Sequence, residues 1–170
     1  MKKATKFFAL VIVMVAFAVN SYGQVSATAT ASATIITPIT ITKSTDMNFG
    51  NVAVNATAGT VVMATDNSRS VTGGCTLPAT AGTVAAAAFD ISGVASATYS
   101  ITLPSSATTI TSGANTMTVD TWTSNPTPTG TLDGTGASTL LVGATLHVAG
   151  SQAAGTYTSA TPFTVTVNYN

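Results

Sequence analysis

The sequence predicts an all-β protein built as one antiparallel β-sandwich, and three observations lead to this prediction. Thr and Val are abundant, and their β-branched side chains favour the pleated strand over the helix. Apolar and hydroxyl residues alternate with a period of two along much of the chain, which places them on opposite faces of strands. Turn clusters rich in Gly, Asn, Asp and Pro separate these runs at intervals of roughly 10–15 residues, as an antiparallel sandwich requires.

Residues 1–23 have the pattern of a secretory signal peptide. Three lysines within the first six residues form a positive n-region, and the apolar run 7–19 has the length of an h-region. Ser21 and Gly23 are the small residues that precede a cleavage site before Gln24. A retained membrane anchor or a buried helix is the alternative, but a membrane span needs about 20 apolar residues. We expect export by the general secretory pathway to the periplasm, the outer surface or the medium.

The mature chain opens on its longest alternating run, Val25–Ile41. At about 3.3 Å per residue this run spans roughly 55 Å, whereas a typical strand has about 5–6 residues. It must therefore break near Pro38 or extend beyond its own domain. In the second case its apolar face is a candidate donor strand, made of Val25, Ala27, Ala29, Ala31, Ala33 and Ile35.

Three interpretations of residues Gln24–Thr34 stay open. The segment is the first strand of its own sandwich, paired with Phe163–Tyr169; or it is donated to the sheet of a second copy; or it is a frayed tail. Deletion separates these interpretations. It unfolds the domain in the first case, prevents polymerisation in the second and changes nothing in the third.

Shorter alternating stripes follow along the chain, and no helix of any length is predicted after residue 23. Together they predict one β-sandwich domain over residues 24–170. The stripe Leu140–Val148 leaves His147 on the polar face. The predicted core consists of Phe49, Val61, Met63, Phe89, Ile91, Tyr99, Ile101, Leu103, Met117, Val119, Leu140, Val142, Leu146, Phe163, Val165 and Val167.

The low charge of the chain argues against several classes of protein. Charged residues make up 6% of the sequence, against about 25% in an ordinary soluble domain, and Glu is absent. No basic patch is available to neutralise nucleic-acid phosphates. Beyond residue 6 the only Lys and Arg residues are Lys43 and Arg69, although sheet proteins usually protect strand edges with charge or Pro. Either loops cover the edges, or the edges pair with another chain.

The residue types needed for catalysis are scarce. His147 has no Glu or Cys near it in sequence, so we interpret it as an exposed strand residue rather than a base or ligand. Nucleophile-elbow, calcium-loop and phosphate-loop motifs are absent. We expect no enzyme activity, no cofactor and no metal site. Cys75 is the sole cysteine, so it is either buried, which we favour, or paired between chains.

Trp122 is the candidate ligand-binding residue. Trp122, flanked by Thr121 and Thr123, is predicted to lie on the face opposite Met117 and Val119. An exposed Trp there would stack on a sugar; the alternative is a Trp that packs under a loop.

A set of short motifs recurs in order along the chain. The motifs are Met47–Gly50, Phe89–Gly93, Tyr99–Pro104, Met117–Val119, Gly143–Val148, Gly155–Tyr157 and Phe163–Tyr169. With this ordered set the chain resembles the secreted bacterial family catalogued as domain of unknown function 4402, and it is similar to spore-coat-U-like and chaperone–usher pilin subunits. This resemblance implies an immunoglobulin-like, pilin-like β-sandwich and fibre assembly, although one cysteine stands where those pilins have a disulfide pair.

Two functions of different classes follow as expectations. The preferred one is a secreted or surface-exposed, non-enzymatic structural protein, namely a fibre, pilus-like or surface-layer subunit. Its partner is a second copy, reached by strand exchange, or another surface protein. The alternative is a soluble extracellular binding module of the glycan or adhesin type, which uses Trp122 or the loop Pro126–Pro128.

Overall fold

The computed structural model describes residues 23–170, and every strand pairing in that range is antiparallel. The predicted all-β, sandwich-like class is confirmed. Residues 1–22 of the predicted signal peptide lie outside the described residues. The strands are β1 (Thr40–Thr45), β2 (Asn48–Phe49), β3 (Ala53–Met63), β4 (Arg69–Thr76), β5 (Val84–Ala85), β6 (Ala87–Ser92), β7 (Thr98–Thr102), β8 (Thr108–Ser112), β9 (Asn115–Asn125), β10 (Thr129–Thr131), β11 (Ala137–Val148), β12 (Thr158–Ser159) and β13 (Thr166–Tyr169).

Strand β11 organises the largest sheet. Two strands share one of its edges: residues 137–142 pair with β6, and residues 144–148 pair with β3. Its other edge pairs with β9. The sheet thus runs β1-β6-β11-β9-β8-β12, with β3 and then β4 branching from β11. Separate sheets are formed by β10-β7-β13 and by β2-β5.

The apolar faces of these sheets enclose two cores. The first core contains Phe49, Val61, Met63, Cys75, Ala86, Val119, Ala144, Leu146 and Val148. The second core lies under the three-stranded sheet and contains Ala87, Ile91, Tyr99, Leu132, Leu140, Val142, Val165 and Val167. Because β11 contributes side chains to both cores, its strict alternation holds the two halves of the domain together.

The predicted core residues all lie in these cores or pack against them. Phe89, Ile101, Leu103, Met117 and Phe163 are half-buried rather than fully buried. The prediction missed Leu132, which is 1% exposed. It follows the three-residue strand β10, a stretch too short to show a period-two pattern.

A β-bulge changes the face on which Trp122 lies. Thr123 pairs with Gly143 and Asp120 with Thr145, so Thr121 and Trp122 together oppose a single residue of β11. Thr121 has a positive φ of 51°, which accommodates the extra residue. The prediction that Trp122 lies opposite Met117 and Val119 is therefore wrong. The bulge brings its side chain onto the core face.

Gly130 offers a direct test of the packing of the second core. The ring of Tyr99, which is fully buried, occupies the position that a Cβ at Gly130 would take. We expect Gly130→Ala to lower the free energy of unfolding by about 1–3 kcal/mol, the usual cost of overpacking. Denaturant unfolding measures the change. The control is Gly134→Ala in the β10–β11 turn, where a Cβ meets no atom within 4 Å and where we expect little change.

Candidate assembly surfaces

The N-terminal segment, defined here as residues 24–35, is the most exposed apolar part of the described chain. It has no regular secondary structure, and each of its residues is exposed. Val25 is 96% exposed and Ile35 is 98% exposed. The strands begin only at Thr40, so the interpretation in which Gln24–Thr34 forms the first strand of its own sandwich is wrong. Six apolar side chains at alternate positions are left without a sheet of their own.

The folded unit, Ile36–Asn170, has several strand edges, and most of them are short or guarded. β1 carries Lys43, which forms an ion pair of 2.7 Å with Asp46. β4 begins at Arg69, whose guanidinium donates to the backbone carbonyls of Phe49 and Asn51. β12 has two residues, and β10 has three and directly follows Pro128, which has no N–H to offer. These are the devices by which sheet proteins prevent pairing at their edges.

β13 differs from these strands in the composition of its own residues. Residues 166–169 include no charged residue and no Pro, and among the described residues β13 pairs only with β7. The Asn170 amide donates to the Thr98 carbonyl at 3.2 Å, so the even-numbered residues bond to β7. The backbone groups of Val167 and Tyr169 therefore point away from β7. We call this row of groups the outer edge of β13.

Other parts of the domain pack closely against the outer edge of β13. Val165 and Val167 are only 8% and 6% exposed, so no deep pocket opens beside them. The Tyr169 hydroxyl accepts the Val94 amide at 2.7 Å and donates to the Thr37 carbonyl at 3.0 Å. β1 approaches β13 on this side, where its half-buried Ile41 packs against the second core. The outer edge of β13 is therefore a shallow apolar border that the chain at and before β1 partly covers.

Trp122, the predicted ligand-binding residue, is half-buried. Its ring lies 4.5 Å from that of Phe163, centroid to centroid, at 37°. Its indole N–H donates to the Ser106 carbonyl at 3.4 Å, in the loop between β7 and β8. Phe163 covers one side of the indole ring of Trp122. Only the opposite side of the ring is therefore available to stack on a sugar.

His147 lies on the exposed face of β11, as predicted, and is joined to Asp120 of β9. Its Nε2 is 2.8 Å from Oδ1 of Asp120, and the two side chains are 46% and 38% exposed. The hydrogen bond from His147, followed by that from the Thr121 hydroxyl, lowers the pKa of the Asp120 carboxyl. The pair links the neighbouring strands β11 and β9 on their exposed face.

This pair predicts a component of acid sensitivity. A carboxyl whose pKa is lowered by folding stabilises the folded state above its unfolded pKa, and this contribution is lost as pH falls through the lowered value. We expect the melting temperature of Asp120→Asn to fall less steeply than that of the parent below about pH 4. His147→Gln should likewise reduce the dependence of the melting temperature on pH in this range. Thermal melts from about pH 6 to pH 2 measure this dependence. If the melting temperatures of the parent and of both variants fell equally with pH, the stabilising role of the His147–Asp120 pair would be contradicted.

Cys75 is buried, as predicted, at 4% exposure. Burial raises the pKa of its thiol, which lowers the thiolate fraction at neutral pH. Within residues 23–170 no three His, Cys, Asp or Glu side chains gather as a metal site. No helix in the same range is long and apolar enough to cross a membrane.

The strands and cores define an antiparallel β-sandwich domain. The model of a family described as a domain of unknown function, DUF4402, matches residues 39–169, and the chain belongs to this family. The match runs from one residue before β1 to the last residue of β13, so it covers the folded strands and leaves out the N-terminal segment. The similarity to spore-coat-U-like subunits is not confirmed by this match. Neither characterised proteins nor solved structures gave a match.

Proposed function

We propose that this protein is a secreted, non-enzymatic structural subunit that assembles with copies of itself into a fibre, a pilus-like filament or a surface layer. The observation that carries the proposal is the exposure of the N-terminal segment, in which Val25 and Ile35 stand almost entirely in solvent. The segment is uncharged and keeps its period-two pattern over twelve residues. Such a segment is suited to join a sheet.

Ordering the N-terminal segment has an energetic cost that only an extended contact could offset. Burying a Val or Ile side chain contributes roughly 1.5–3 kcal/mol, while fixing the backbone costs about 1–2 kcal/mol per residue. Two large apolar side chains alone would not offset the ordering of twelve residues. Backbone hydrogen bonds and the four intervening Ala residues must contribute as well, and only an extended pairing with another strand supplies both.

The distribution of titratable groups supports a structural role over a catalytic one. The single His is joined to Asp120 on an open strand face rather than in an enclosed site. General acid–base catalysis works best where a titratable group lies in an enclosed site beside a bound substrate. His147 lines a shallow groove of about 630 Å³ that is open to solvent, and in this setting the His147–Asp120 pair fits a link between strands.

A binding module is the second candidate function, and the surroundings of Trp122 favour it. Phe163, which packs on Trp122, also lines a groove of about 580 Å³ between the β7–β8 loop and the residues before β13. Thr and Ser hydroxyls line much of this groove, and such groups hydrogen-bond to sugars. In this candidate the partner is an extracellular glycan.

The oligomeric state of the full chain separates the two candidates. The full-length chain is expressed with its predicted signal peptide, and the exported protein is purified. Size-exclusion chromatography and negative-stain imaging are then carried out over a concentration series. We expect ordered polymers whose amount rises with concentration. A monomer at every concentration that binds on a glycan array would contradict the structural role and support the binding module.

A further inference from the structure

We propose that the outward face of the largest sheet carries a binding site for a neutral polysaccharide chain. The inference goes beyond the proposed function, because it concerns a ligand and not the contact between copies. The site is a row of four polar side chains on four neighbouring strands, and its groove shares no lining residue with the groove beside Trp122. The polar row, as we call it, consists of Thr72 on β4, Thr60 on β3, His147 on β11 and Thr118 on β9.

The strand register places the four side chains of the polar row side by side. Thr60 pairs with Thr72 on one side and with His147 on the other, and His147 pairs in turn with Thr118. Directly paired residues of an antiparallel sheet point to the same face. Val61, the neighbour of Thr60, is fully buried in the first core, so the polar row faces outwards. Three steps of about 4.8 Å between strands give the row a length of about 14 Å, which exceeds one sugar ring.

The groove along the polar row has the shape that an extended chain needs. All four side chains of the row line this groove of about 630 Å³, which is shallow and open to solvent. Ala58, Ala149 and the half-buried Met117 also line it, and they offer apolar surface to the C–H groups of a sugar. A single small molecule is usually held in an enclosed pocket, whereas an open groove admits a chain that continues beyond both ends.

The hydrogen-bonding groups of the polar row suit sugar hydroxyls. The hydroxyl oxygens of Thr60 and Thr72 are 2.7 Å apart, so one donates to the other, and the pair keeps one free O–H and several acceptor lone pairs. The Asp120 carboxylate can only accept, so Nε2 of His147, at 2.8 Å, carries a proton. In the neutral imidazole Nδ1 is then an acceptor. The row thus offers both donors and acceptors, as a sugar hydroxyl does.

The charges around the polar row favour a neutral ligand. Beyond residue 6 the only Lys and Arg residues are Lys43 and Arg69, and neither lines the groove. Lys43 is paired with Asp46, and the Arg69 guanidinium donates to backbone carbonyls. The nearest carboxylate, that of Asp120, would repel an anionic polymer. An anionic polysaccharide or a nucleic acid would therefore meet no opposite charge here, whereas a neutral polysaccharide needs none.

Binding of the exported full chain to coated surfaces tests the site. The surfaces carry a glucan, a mannan or a xylan as neutral polysaccharides, and alginate as the anionic comparison. We expect saturable binding to at least one of the three neutral polysaccharides and little binding to alginate. The measured quantity is the protein concentration that half-saturates the surface.

Paired substitutions locate the binding on the polar row. Thr60→Val combined with Thr118→Val removes two hydroxyls while it keeps side-chain volume and strand preference. The half-saturating concentration should rise about tenfold or more, as expected for the loss of two hydrogen bonds. The matched control combines Thr42→Val with Thr139→Val. These two exposed residues flank Asp90 in the register of the same sheet and lie outside the groove, so binding should be nearly unchanged.

Several results would overturn the site. These are the absence of binding to all three neutral polysaccharides, equal binding to alginate, and equal losses in the two paired variants. Size-exclusion chromatography keeps the proposed function separate, because the Thr60→Val/Thr118→Val variant should assemble as the parent does. A parent chain that assembles but binds no neutral polysaccharide would refute this inference and leave the structural role standing.

Discussion

Removal of residues 24–35 is expected to abolish self-assembly and to leave the fold intact. The segment forms no strand, and the compact unit starts at Ile36, so the deletion removes no core side chain. The melting temperature should therefore stay within about 2 °C of the parent value, which corresponds to less than about 0.5 kcal/mol in a domain of this size. Sedimentation velocity should show polymers for the parent chain and a monomer for the truncated chain.

Single charged substitutions test whether the segment pairs as a strand, because they leave the length of the chain unchanged. Ala31→Asp places a carboxylate on the apolar face of the segment, where pairing would bury it, whereas Thr30→Asp places the same charge on the hydroxyl face. The apolar-face variant should weaken assembly by about tenfold or more, since about 1.4 kcal/mol is enough for a factor of ten. Equal effects from the two variants, or a truncated chain that still polymerises, would show that the segment is not a paired strand.

Leu140→Ala is expected to have the largest effect on stability. The Leu140 side chain is fully buried in the second core, where β11 meets the three-stranded sheet. Its truncation removes packing from both layers and leaves a cavity, at a cost of about 2–5 kcal/mol. Chemical denaturation of the folded unit, followed by tryptophan fluorescence, measures the loss.

The neighbouring residue provides the matched control. Leu141 lies on the same strand with its side chain on the opposite face, and it is only half-buried. Leu141→Ala makes the same chemical change and should cost well under half as much. If the two variants lost equal stability, the assignment of the inner face of β11 would be wrong.

The period-two pattern predicted most of the fold because burial on one face of a strand is a local property. The stripe that ends in Leu146 and Val148 is an example, since alternation alone put its apolar residues inside and His147 outside. Trp122 shows the limit. The bulge at Thr121 is set by the pairing of β9 with β11, and no residue type in that stretch announces it.

The candidate site shows the same contrast. The N-terminal segment is a candidate donor by sequence alone, because an alternating run longer than an ordinary strand is a local signal. Which strands lie at the edges of the sheets could not be predicted in this way, because edge exposure depends on the whole sheet order.

Amide hydrogen exchange on the folded unit, residues 36–170, tests the pairing most directly. A peptide of residues 24–35 is added to the isotope-labelled unit, and exchange is followed at single residues by NMR. Assembly through the N-terminal segment predicts that the peptide binds and that the amides along one edge strand of the unit become protected. A peptide that carries Ala31→Asp should bind at least about tenfold more weakly. Absence of binding, or equal binding of the two peptides, would contradict assembly through the N-terminal segment.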